Sequence, residues 1–142
     1  MTTSIDSNII IALWFKSHTA NSLAAQLLGQ AQMRGELVIS APVYAELMAD
    51  PSRTERQLDE FAANTGISIE WKIDEDTWRE AGRVYCEYAQ RRIRSGGGHP
   101  RRILTDFIIG AHAVVRGYSL LTLNSRDYAA AFPRLTIFSM SN

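Results

Sequence analysis

The stretch Leu37-Val38-Ile39-Ser40-Ala41-Pro42-Val43-Tyr44-Ala45-Glu46-Leu47-Met48 decides the fold class. Leu37–Ser40 is a short apolar run with the length and composition of a buried strand. Pro42 follows at once, and a proline is welcome in the first turn of a helix, where its missing N–H would have no partner anyway. A helix carrying Val43–Met48 is therefore expected directly after the strand, closed by Pro51. One carboxylate, Glu46, falls inside that apolar helix.

The same strand-then-helix alternation extends in both directions. Ser4-Ile5-Asp6 is a short strand that turns into a helical stretch at Asn8–Phe15. Asn21–Arg34 is a second helix, with Leu23, Leu27, Leu28 and Ala31 on one stripe and Gly35 at the C-terminal cap position. Thr54–Asn64 is helical and ends at Gly66. Ile67, Ile69, Trp71 and Ile73 alternate with polar residues, the period of a strand over Ile67–Ile73. Asp74 is placed to cap a long helix, Glu75–Arg94, whose expected apolar stripe is Trp78, Ala81, Gly82, Tyr85, Tyr88 and Ala89. Gly96–Gly98 breaks the chain into a loop. Thr105 is placed to cap Asp106–Arg116, and Leu120–Leu123, Asn124–Phe132 and Leu135–Met140 complete the series as strand, turn-plus-helix and strand. This alternation predicts an α/β domain, a mostly parallel sheet covered by helices on both faces. The 142 residues fit one such domain, 1–142.

Bulk composition narrows the function. The formal charge is zero, so attraction to a polyanion must be local. Of the 15 basic residues only Lys16 and Lys72 are lysines. A single cysteine, Cys86, excludes an internal disulfide and is expected as a packed thiol on the long helix. No apolar run approaches the roughly 18 residues of a membrane span, so no membrane role and a cytoplasmic location are expected. There is no Walker loop, nucleophile elbow or dinucleotide fingerprint.

The acids then stand out. Ligands of an open parallel sheet bind beyond the carboxyl ends of its strands. Asp6 ends the first strand, Glu46 lies one helical turn past the second, Asp106 opens the helix before the fourth, and Asp127 follows that strand, with Asn124 closer still. Each has an ordinary alternative: Asp6 as a helix N-cap, Asp106 as a first-turn acid, Asp127 as a turn residue. Glu46 and Asp106, however, sit in apolar runs where an uncompensated carboxylate is costly. With no lysine beside them in the sequence, a divalent cation is the economical partner, and an all-oxygen set favours Mg²⁺ or Mn²⁺. His18, His99 and His112 do not share metal-ligand spacing, and His112 is expected as a packing or surface residue. The acid-free run from Tyr88 to Thr105 contains Arg91, Arg92, Arg94, Arg101 and Arg102, a candidate phosphate-binding surface or a solvated face.

Ile5-Asp6-Ser7-Asn8-Ile9-Ile10 resembles the opening Asp-x-Asn strand of the PIN domain, and Ile39–Leu47 its second acidic motif. Asp106–Ala113, with Gly117 and then Leu121-Thr122-Leu123-Asn124-Ser125-Arg126-Asp127-Tyr128, resembles the third and fourth. The ordered set spans nearly the whole chain, and its length is most similar to that of VapC-type toxins of toxin–antitoxin pairs. The resemblance implies a three-layer α/β/α fold and a Mg²⁺- or Mn²⁺-dependent endoribonuclease. It implies metal-binding carboxylates at Asp6, Glu46 and Asp106, with Asp127 as a further catalytic acid where Asn124 departs from the usual aspartate. Ser7, Thr122 and Asn124 would support them, and Arg94, Arg101 and Arg102 would hold RNA. A cognate antitoxin covering the site and a homodimer are implied as partners, and Trp14, Phe15, Trp78 and Tyr85 are aromatics for an interface or the core. Two rivals use the same residues: another metal-dependent phosphoryl-transfer enzyme, and a catalytically silent module that holds RNA or protein.

Overall fold

A computed structural model describes residues 1–98 and 104–140. Five strands form one all-parallel sheet: β1 (Thr2–Ile5), β2 (Glu36–Ser40), β3 (Ile67–Glu70), β4 (Ser119–Leu121) and β5 (Thr136–Ile137), in the order β3-β2-β1-β4-β5. Helices α1 (Ser7–Trp14), α2 (Asn21–Arg34), α3 (Ala41–Leu47), α4 (Glu55–Thr65), α5 (Glu75–Arg94), α6 (Leu104–Arg116) and α7 (Ser125–Ala131) flank it, giving the expected three-layer α/β/α architecture.

Strand composition explains the layering. β1, β2 and β4 are buried almost throughout, as central parallel strands covered on both faces must be. Ile5, Ile39, Leu120 and Leu121 from the sheet meet Ile9 and Ile10 of α1, Val43 and Leu47 of α3, and Phe107 and Ile109 of α6 in one core. Each fully buried aliphatic or aromatic side chain contributes on the order of 1.5–3 kcal/mol. α4 begins on a capping box between Thr54 and Gln57, and Asp74 accepts from the Thr77 N–H to start α5. Gly35 closes α2 where a side chain could not fit, since a Cβ there would meet the Met1 carbonyl oxygen.

Several expectations shift. β3 ends at Glu70 rather than Ile73, because its partner β2 ends at Ser40, which pairs with Glu70, and the chain there enters α3. β5 keeps only two residues, paired to Ser119 and Leu120 of a β4 that is itself three residues long. α5 is turned so that Thr77, Ala81 and Val84 face inward, while Tyr85 and Tyr88 pack on Phe107 with ring centroids 4.7 and 5.4 Å away. Trp78 and Gly82 are consequently exposed, and Cys86 is exposed rather than packed. Thr105 lies within α6 instead of capping it. His112 is fully buried, its Nε2 2.9 Å from Glu70 Oε1. Arg101, Arg102 and His99 lie outside the described residues.

Gly110, in mid-α6, gives a test of this packing. A Cβ there would stand 2.3 Å from a carbon of the Phe132 ring, which is itself buried. Alanine would gain up to about 1 kcal/mol of helix propensity. Forcing an aromatic ring aside in a close-packed core costs about 1–3 kcal/mol. Gly110→Ala is expected to lower the urea midpoint, and an unchanged or raised midpoint would show that the α6–Phe132 contact is looser than described.

Candidate active site

The connectivity of the sheet determines where a ligand can enter. From β1 the chain winds outward to β2 and β3, then returns to place β4 on the opposite side of β1. The first helix crossovers therefore diverge at the β1/β4 boundary, the position at which open α/β sheets bind ligands beyond the carboxyl ends of their strands. Asp6 leaves β1 at this boundary, and its N–H donates to the Leu121 carbonyl of β4 at 2.9 Å. Thr122, the next residue along that strand, donates from Oγ1 to Asp6 Oδ2 at 2.8 Å.

Asp6 occupies the N-cap position of α1, yet its side chain makes no capping hydrogen bond. The helix-cap alternative for this residue is thus not used. The residue is 4% exposed, and burial is the chief cause that raises its pKa above the usual range. The Asp106 carboxylate raises it further, while the Thr122 and Tyr128 hydroxyls act in the opposite direction. Glu46, half-buried on α3, is raised first by burial and then by the charges of Asp6 and Asp106. The three acids come from β1, α3 and the first turn of α6, and they act on one another electrostatically.

Ser7 stands between two of them. Its Oγ lies 3.1 Å from Glu46 Oε1 and 3.5 Å from Asp6 Oδ1. One hydroxyl proton serves one carboxylate at a time, and the shorter contact assigns it to Glu46. Asn8 braces the other wall: its Nδ2 donates to Thr122 Oγ1, and its Oδ1 accepts from the Leu123 N–H. The Asn124 N–H donates to Thr122 Oγ1 at 3.0 Å. Asn124 is exposed and begins α7 without a side-chain cap bond. Asp127 is exposed in the first turn of α7. Arg94 is exposed in the last turn of α5.

Sequence reasoning missed roles for Tyr128 and Asn8. Tyr128 is 1% exposed and its hydroxyl favours the charged form of Asp6. Its only signal was a tyrosine one residue past Asp127, in a helix too short for a clear stripe. Asn8 was visible as part of the Asp-x-Asn run, but its bonds to Thr122 and Leu123 span 114 and 115 residues.

The donor chemistry fits a hard divalent cation: three carboxylates, hydroxyls at Ser7 and Thr122, and an amide oxygen at Asn124. Among the described residues, no three Asp, Glu, His or Cys side chains stand close enough to enclose an ion as placed. Mutual repulsion of like charges favours such spacing in a metal-free cluster.

The sequence model of the PIN domain family matches residues 4–133. Among solved structures, the chain is similar to VapBC2 from Rickettsia felis bound to a promoter DNA fragment, with 22% identity, 97% and 98% of the two chains covered and a TM-score of 0.61. It is similar to VapBC-1 from nontypeable Haemophilus influenzae, with 20% identity, 98% of each chain covered and a TM-score of 0.66. A toxin–antitoxin complex from Klebsiella pneumoniae gives 21% identity, 97% and 99% coverage and a TM-score of 0.63. At these identities the likeness concerns the fold. No curated protein matches the sequence.

The raised acids predict a pH dependence. Glu46 has a folded-state pKa above its ordinary 4.5, so the folded chain holds this proton more tightly than the unfolded chain. The associated stability is present below pH 4.5 and lost as pH rises through the raised value. Glu46→Gln removes that loss while keeping an acceptor for Ser7. In chelator, the variant's advantage in urea midpoint over wild type is expected to grow from acid to neutral pH. A gap independent of pH would mean that neither burial nor the neighbouring acids raise Glu46.

Proposed function

This chain belongs to the PIN domain family, and on that footing we propose that it is a Mg²⁺- or Mn²⁺-dependent endoribonuclease, the toxin of a toxin–antitoxin pair. What supports the reading is that Ser7 lies between the Asp6 and Glu46 carboxylates beyond the end of β1, and that the charge of Asp106 raises both acids. Burial and mutual repulsion raise Asp6 and Glu46, and a divalent cation would relieve both penalties. The similarity to toxin–antitoxin complexes supports a cognate antitoxin as partner. We extend the proposal to one domain over residues 1–142, a homodimer and a cytoplasmic location; no described helix is long and apolar enough to cross a membrane.

Asp6, Glu46 and Asp106 would hold the ion. Bound there, a divalent cation supplies Lewis-acid neutralisation of phosphate oxygens and activation of water. The chain's own residues set the geometry. Thr122 and Ser7 hold the Asp6 and Glu46 carboxylates in fixed rotamers through their hydroxyl protons. Asn8 fixes Thr122 in turn, so the support extends to the β4–α7 turn. Glu46, the more accessible of the two raised acids, is assigned to orient the attacking water. Asp127 is proposed as the further acid of the site, with Asn124 beside it, and Arg94, Arg101 and Arg102 as contacts to RNA phosphates.

Asp106→Asn is expected to abolish Mn²⁺-dependent cleavage of unpaired RNA while far-ultraviolet circular dichroism stays unchanged. Cleavage at the wild-type rate under saturating metal would refute the assignment. DNA and a phosphomonoester, assayed alongside RNA, separate this reading from other phosphoryl transfer. For the fourth position, Asp127→Ala is expected to cost at least about tenfold in rate, or roughly 1.4 kcal/mol of barrier. An active Asp127→Ala beside an inactive Asn124→Ala would move that role to Asn124.

A further inference from the structure

Trp71 is the first residue past β3 and is 61% exposed. With Glu70, Lys72 and Arg116 it lines a cleft of about 210 Å³. Its ring is held from one side by Tyr44, edge-on at a centroid distance of 4.8 Å. A large indole fixed in place yet open to solvent, with a lysine and an arginine at its flanks, combines a stacking platform with charge for a phosphate backbone. The acid in the cleft is already engaged. Glu70 Oε1 lies 2.9 Å from His112 Nε2, Oε2 accepts from the Tyr118 hydroxyl at 2.6 Å, and the Arg116 guanidinium is 3.8 Å away.

Its place in the fold connects the cleft to the acid cluster. Glu70 pairs with Ser40 at the end of β2, and the β1–β2 register, Ser4 with Val38, brings Asp6 out of the sheet level with Ser40. β3 is two strands from β1, about 10 Å at the usual spacing of parallel strands. Tyr44, which supports Trp71, lies on α3, the helix that carries Glu46 on another of its faces. Trp71 and Asp6 therefore both leave the sheet at the carboxyl ends of its strands. A protein partner would seek a wider apolar patch than one indole between two cations.

The geometry points to a subsite for unpaired RNA at the carboxyl end of the sheet, in which a base stacks on Trp71 while Lys72 and Arg116 hold the backbone. This rests on the ribonuclease reading above, but its test does not need cleavage. Affinity for a short fluorescein-labelled unpaired RNA is measured on the full chain in chelator across a salt series. Trp71→Ala is expected to weaken binding by about tenfold or more, with Trp71→Phe retaining most of it. Lys72→Ala is expected to make the dependence of log affinity on log salt shallower, by up to about 0.7. RNA should quench tryptophan fluorescence in wild type, and Trp71→Phe should lose most of that quench. Wild-type affinity in both Trp71→Ala and Lys72→Ala, or no RNA binding by the wild-type chain, overturns the subsite. So does a Trp71→Ala variant that loses a protein partner but not RNA. Trp71-dependent binding without cleavage in Mn²⁺ would sink the nuclease reading and leave the subsite standing; cleavage indifferent to Trp71 would do the reverse.

Discussion

The hydrogen bond from Thr122 Oγ1 to Asp6 Oδ2, 2.8 Å across 116 residues of chain, is the contact on which the site depends. It exists because β1 and β4 run parallel in register, Ile5 beside Leu121, at the point where the strand order turns back. A hydrogen bond to a charged group contributes about 1.5–3 kcal/mol. That is enough to hold the Asp6 carboxylate in one rotamer while the chain buries it, and too little to make burial of the charge favourable. The remaining penalty stays in the fold as a raised acid, next to two more carboxylates.

The supporting shell is built to keep that penalty from being relieved by rearrangement. Asn8 ties Thr122 and Leu123 to the first turn of α1, and Asn124 is tied to Thr122 by its own N–H. Ser7 supplies one proton for two acids. Behind Asp106, α6 is packed along nearly its whole length, with Phe107 under Tyr85 and Tyr88 and Gly110 closed by Phe132. The proposed cation site would thus be mounted on elements that have little freedom to separate.

Much of this was legible in the chain. Leu37–Glu46 carries its strand, its helix and its acid in order, and Pro42 stands in the first turn of α3 as expected. The alternation of strands and helices gave the architecture, because each strand is followed by a helix of recognisable period. What was not legible depends on partners distant in sequence. The length of β3 is limited by where β2 stops, not by its own alternation, so the pattern over Ile67–Ile73 overran. The inner face of α5 is set by Phe107 on another helix, which leaves Trp78 outside. Asn8 belongs to a recognisable run, but its partners lie more than a hundred residues away, and Tyr128 sits in a helix too short to show a stripe. The reversal of strand order beside β1 is likewise a property of the assembled sheet.

Asp6, Glu46 and Asp106 are proposed to act as one cation-binding cluster. Calorimetric titration of Mn²⁺ into the chain and into Asp6→Asn, Glu46→Gln and Asp106→Asn, at two pH values, tests it most directly. The account predicts saturable binding by wild type that weakens toward acid pH with release of protons, and a large loss of affinity in each variant. Wild-type affinity in all three variants, or no saturable binding by the wild-type chain, would rule the cluster out.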